Sequence, residues 1–252
     1  MERLPNYEFV IFAVTLLVML AAEYIGAWFA RRLRPVEEEE RSHLSQVTGV
    51  SLSILALLLS FSFSAAVSRY DTRKGYEQEE AGAISSEYFL AGLLPQADTA
   101  EVRSLLKQFI ELRIQFYEND DRHELAEIRQ ARGKLEAQMW PIVERNAQEK
   151  QTPIMGQVLA GMDKVLSRPS YSQAAALDRI PEAVWSLLSV LAFISCGLIG
   201  YISRGRHSLV LRLVLPVFLA VGFFVIATLD SQRRGVVRVL PENLIRVQGE
   251  MQ

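Results

Sequence analysis

Six residues in one apolar stretch are the strongest candidates for chemistry: Ser53, Leu57, Ser60, Phe61, Ser64 and Ser68. Spaced three or four apart, they fall on one face of a helix. Small hydroxyls can solvate a passing ion, and apolar side chains between them can form a constriction that gates by dewetting. The same stripe also suits close helix packing, with each serine bonding back to its own backbone. Serine is common in membrane helices, so spacing alone favours the packing reading.

Two charges sit in otherwise apolar sequence. Glu23 and Arg212 are each embedded in a hydrophobic block. An ionisable group within a membrane is costly and often functional. Each lies toward the end of its block, so snorkelling or a structural ion pair competes with a role in permeation. The acidic run Glu37–Glu40 lacks the alternating ligands and glycine turn of a calcium loop, and reads as a solvated loop. Glu77, Glu79, Glu80 and Glu87 read as the acidic start of a further helix, solvated or facing another subunit rather than holding a metal. His43, His123 and His207 have no ligand spacing, and the single cysteine, Cys196, reads as a small buried hydrophobe. No GxSxG, glycine-rich phosphate loop, HExxH or CxxC is present, so nothing points to an enzyme or calls for a cofactor. The net charge of −2 offers no basic field for nucleic acid.

The elements that must position these residues follow from the apolar pattern. A spanning helix needs about 20 predominantly apolar residues. Four blocks qualify: Phe9–Ala30, Leu44–Ser68, Ala183–Ser203 and Ser208–Leu229. Backbone groups in lipid must be bonded internally, so the blocks are expected to be helices, grouped as two pairs. The first block is longer than a signal-peptide core and reads as retained. Pro216 should kink the fourth helix or break one of its bonds. Ala192, Cys196 and Gly200, four apart, suit close packing against a partner helix the sequence does not name.

The charged centre reads as amphipathic helices. Val102, Leu105, Leu106, Phe109, Ile110, Phe116 and Tyr117 keep helical spacing, with Arg113 as a basic exception. Leu125, Ile128, Leu135, Met139 and Ile142 mark a second helix that Pro141 should bend or end. Ile154, Val158, Leu159, Met162 and Val165 mark a third. Asn119–Asp121 and Ser167–Ser172 read as connections. The predicted architecture is all-α. Residues 1–68 hold the first transmembrane pair, 69–182 a soluble helical domain, 183–229 the second pair, and 230–252 a peripheral tail in which Gly235–Leu240 could be extended.

Charge does not fix orientation. Arg31, Arg32, Arg34, Arg41, Arg204 and Arg206 lie on one side; Arg3, Arg69, Arg73, Lys74, Arg179, Arg233, Arg234 and Arg238 lie on the other. The first helix alone favours an outside N-terminus.

Leu58-Leu59-Ser60-Phe61, Ser64-Ala65 and Ser68-Arg69-Tyr70-Asp71-Thr72-Arg73-Lys74 resemble the second helix of bacterial bestrophins. Arg179-Ile180-Pro181 before Trp185 resembles the entry to their third helix. Over nearly the whole chain the resemblance is to the bestrophin-like domain family of bacterial membrane proteins. It is carried by Glu79-Glu80-Ala81, Ala91-Gly92-Leu93-Leu94-Pro95 and the Leu229-Asp230 to Gly235 tail. Bestrophins are pentameric anion channels whose second helices line an apolar neck. Laid on this chain, the neck positions fall on Ser53, Leu57 and Phe61. Ser53 departs from the apolar pattern, and Ser60 replaces the usual glycine.

The resemblance implies a homo-oligomeric, pentameric channel passing an inorganic anion. It also implies a bacterial inner-membrane location in contact with lipid, and a cytoplasmic soluble domain. Two alternatives stand beside it. One is a non-conducting scaffold that binds a partner through the soluble domain. The other is a proton- or cation-linked transporter using Glu23.

Overall fold

A computed structural model describes residues 7–32, 37–203, 209–231 and 237–251. Arg3, Arg34, Arg204, Arg206, His207, Arg233, Arg234 and Gly235, with the start of the fourth apolar block at Ser208, lie outside the described residues. The described residues are helical, without strands, and form two compact units.

The first unit comprises Met1–Ser68 and Arg179–Val237. It contains α1 (Tyr7–Arg32), the first part of α2 (Glu38–Leu90), α6 (Glu182–Ser203) and α7 (Leu209–Asp230). The apolar blocks lie in these four helices, each long and apolar enough to cross a membrane. Their outward surface is apolar: Phe9, Leu17, Tyr24, Val190 and Phe218 are all more than half exposed. Such a surface suits lipid rather than water.

Neighbours in sequence are not the closest neighbours in space. α1 packs most extensively on α6, then on α7, while α6 and α7 touch only slightly. The reason is glycine. A Cβ on Gly26 would lie 1.9 Å from the Gly197 carbonyl oxygen, and one on Gly200 would lie 2.0 Å from the Glu23 carbonyl oxygen. The two backbones therefore cross in direct contact, which larger side chains forbid. Ala192 and Cys196 continue that buried line, so the partner of the small-residue stripe is α1.

The second unit comprises Arg69–Asp178 and Arg238–Gln252. It contains the later part of α2, a 3-10 turn at Ala91–Leu93, α3 (Gln96–Glu118), α4 (Arg122–Glu149), α5 (Pro153–Leu177) and α8 (Glu242–Glu250). Its core joins Ile84, Leu106, Phe109, Met139, Val158, Met162 and Leu244, among others. Asn119–Asp121 is the expected connection. Asp121 ends it by accepting from the amides of His123 and Glu124, which starts α4. Thr152 caps α5 in the same way, through Met155 N at 3.3 Å, with Pro153 at the first helical position.

The helices depart from expectation at several places. Of the bend or end expected at Pro141, the end does not occur: α4 runs to Glu149, with Met139, Ile142 and Val143 buried around the proline. Ser167–Ser172 is no connection but lies inside α5; its Ser172 hydroxyl donates to Pro169 O and accepts from Arg113. The acidic stretch after Ser68 is not a new helix start but a continuation of α2. Its Glu77, Glu80 and Glu87 are buried, and only Glu79 of the four is exposed.

The tail is not merely peripheral. α8 buries Leu244, Val247 and Met251 in the core, each such side chain contributing roughly 1.5–3 kcal/mol. Glu77 caps its N-terminus: Oε1 accepts from the amides of Asn243 and Leu244, both at 3.0 Å, and Oε2 from Asn243 Nδ2 at 2.7 Å.

Candidate functional site

The first unit presents one face of α2 without cover. Ser53, Leu57, Ser60, Phe61, Ser64 and Ser68 are all exposed in the single chain, with Phe61 at 64% and Leu57 at 55%. The opposite face is packed: Leu55 is 1% exposed, Ser62 6% and Ala66 0%. Leu55 joins Met19, Leu188, Ala192 and Phe223, while Ala66 joins Ile180 and Ile226. Burial thus fixes the rotation of α2 about its axis, and that rotation turns the candidate stripe outward.

The hydroxyls on the stripe are not idle. Ser53 donates to Gly49 O at 2.9 Å and Ser60 to Ala56 O at 2.8 Å. Ser62, on the packed face, does the same to Leu58 O at 2.8 Å. Each spends its single proton within the helix and leaves oxygen lone pairs outward.

Glu23 and Arg212 are brought together. Glu23 is 3% exposed and accepts from Arg212 Nε at 3.0 Å. The pair joins α1 to α7. Two embedded charges thereby neutralise one another, the arrangement a low-dielectric interior requires. A structural pair is the reading this geometry favours over a transport carboxylate.

One contact was not legible from spacing. Asp230, at the end of α7, accepts from Ile180 N at 3.0 Å, just before α6 begins. It links two of the short segments that carry the family resemblance.

In the second unit the chemistry is structural. Arg113, the basic exception on α3, is fully buried and holds Glu80 through Nε and through Nη2 at 3.1 Å. Ser172 and Tyr117 complete the network, with Tyr117 O–H donating to Glu80 Oε2 at 3.3 Å. Burial, reinforced by the Glu80 charge, pushes the Tyr117 phenol above its ordinary range.

The family resemblance is met by direct comparison. The Bestrophin-like domain model matches residues 17–244. No curated protein matches the sequence. Among solved structures, a variant of a bacterial bestrophin homologue from Klebsiella pneumoniae superposes with a TM-score of 0.66 at 15% identity, covering 96% of this chain and 98% of that one. The same homologue phased on zinc gives 0.63 at 15% identity, with 96% and 98% covered. A variant described only as a membrane protein gives 0.65 at 15% identity, with 95% of each chain covered. At such identity these structures show a shared fold. Because the family model spans most of the sequence, the chain belongs to the Bestrophin-like domain family.

Proposed function

We propose that this membrane protein assembles as a homo-oligomer, a pentamer, and conducts ions along a path lined by the exposed face of α2. The observation that supports this most is the contrast between the two sides of that helix. Leu55 and Ala66 are buried, while Phe61 and Leu57 stand open beside four small hydroxyls. In an assembly with α2 around an axis, Leu57 and Phe61 form an apolar constriction and the serines a polar wall. The family assignment supports a channel of the bestrophin type in a bacterial membrane. In that reading the membrane is the inner one and the helical unit is cytoplasmic.

The permeant ion in the leading reading is a small anion, as the family resemblance implies. A cation is the second reading, and one observation favours it. Ser53 and Ser60 donate inward to Gly49 and Ala56, so their outward atoms are acceptors. Anion passage requires those hydroxyls to rotate.

Planar-bilayer recordings of the purified protein test both points. A current whose reversal potential follows the chloride gradient supports the anion channel. One that follows the sodium or potassium gradient supports the second reading. Absence of current at high protein density leaves a non-conducting scaffold.

A further inference from the structure

Glu87 lies on the buried face of α2 within the helical unit. It is 0% exposed, and neither carboxylate oxygen has a hydrogen-bond partner. Gly161 of α5 stands against it. A Cβ at that position would sit 2.1 Å from Glu87 Oε2 and 3.1 Å from Leu90 Cδ1, so the carboxyl occupies the space that the missing side chain leaves. One turn to either side in the chain the neighbours are apolar: Ala83, Ile84 and Leu90 on α2 and Ala91 in the 3-10 turn, all in or packed against the same core.

The charged groups on the surrounding elements are engaged elsewhere or exposed. On α2, Glu80 is held by Arg113 and Glu79 by Arg168. On α5, Asp163 and Lys164 are exposed. On α3, Arg103 donates to Tyr88 O, and Lys107 stands over the Tyr88 ring. On α8, Arg246 and Glu250 are exposed. None of them reaches the carboxylate with a hydrogen bond. Burial alone pushes the Glu87 carboxyl up, to about 8.

A buried ionised carboxylate without a partner is strongly disfavoured, and the neutral acid costs far less. We propose that Glu87 is a proton-binding site that sets how tightly α2 packs on α5. Protonated, it is a neutral side chain seated against Gly161. Ionised, it is an unpartnered charge, and the α2–α5 contact opens to admit water. This holds whether or not the chain conducts.

The sign follows from linkage. The folded unit binds the proton more tightly than the unfolded chain does. The stabilisation is therefore complete below the ordinary carboxylate value of 4.5 and is lost as pH rises through about 8.

The test is hydrogen–deuterium exchange on the full chain in detergent, corrected for the intrinsic pH dependence of exchange. It follows peptides covering residues 84–93 and 153–165 from about pH 6 to about pH 9.5. The expected result is about tenfold or greater extra exchange at the alkaline end in the wild type. Glu87→Gln, which keeps the shape without the ionisation, should remove that rise. Glu87→Met serves as a second variant if the glutamine form does not fold. A wild type with no pH-dependent opening in these peptides overturns the proposal. So does an opening of the same size in whichever variant folds.

Discussion

Asp230 Oδ1 accepts a hydrogen bond from the Ile180 amide at 3.0 Å, fastening the end of α7 to the entry of α6. Asp230 is 7% exposed and Ile180 6%, so the contact is sheltered from water. Asp230→Ala leaves a buried amide without its acceptor, at a cost of about 1–3 kcal/mol. Thermal unfolding in detergent should show the loss, while Asp230→Asn should retain part of the stability through its side-chain oxygen.

The α1–α6 crossing depends on missing side chains. Gly200→Val places atoms where the Glu23 backbone already stands, and the helices must separate. Folded protein recovered by size exclusion should fall sharply. Gly222→Ala meets nothing within 4 Å and should stay within about 0.5 kcal/mol of the wild type.

Glu23→Gln should lower stability and spare ion flux. Its carboxylate is buried on Arg212, whose own side chain is 30% exposed. Solvent screening reduces the loss from the several kcal/mol of a fully buried pair to about 1–3 kcal/mol. Thermal denaturation measures the first effect and liposome flux the second. Flux abolished in a stable variant would favour the transport reading of Glu23.

The Glu80–Arg113 pair belongs to the interior of the helical unit. Glu80→Leu alone strands a buried guanidinium and should cost about 3–5 kcal/mol. Adding Arg113→Met should recover much of it, since an apolar pair of similar volume suits that core. Denaturant titration of the two variants separates the cases.

Much of the fold was legible because lipid imposes a simple rule. Runs of about 20 apolar residues mark spanning helices with little ambiguity. The stripe on α2 was legible for the same reason, since its spacing matches the helix. Its outward rotation was not, because both sides of the helix carry apolar side chains, Leu55 and Ala66 on the packed side and Leu57 and Phe61 on the open one. Charge after Ser68 is the misleading signal. Arg73, Glu77, Glu80, Ile84, Glu87 and Ala91 follow one helical face and are all buried. Read by polarity, the glutamates look solvated; read by period, they belong to the core. Arg113, the partner of Glu80, and Asn243, the partner of Glu77, come from distant sequence. The proximity of Gly26 to Gly197 is likewise a tertiary fact with no local signal.

The central claim is that Phe61 faces an ion path. The most direct measurement places a cysteine there, Phe61→Cys, and records current in planar bilayers before and after a water-soluble thiol reagent. The native cysteine, Cys196, is buried, so the wild type is the silent control. The expected result is current in both proteins and block by the reagent in Phe61→Cys alone. Full current in Phe61→Cys that the reagent leaves unchanged would contradict it.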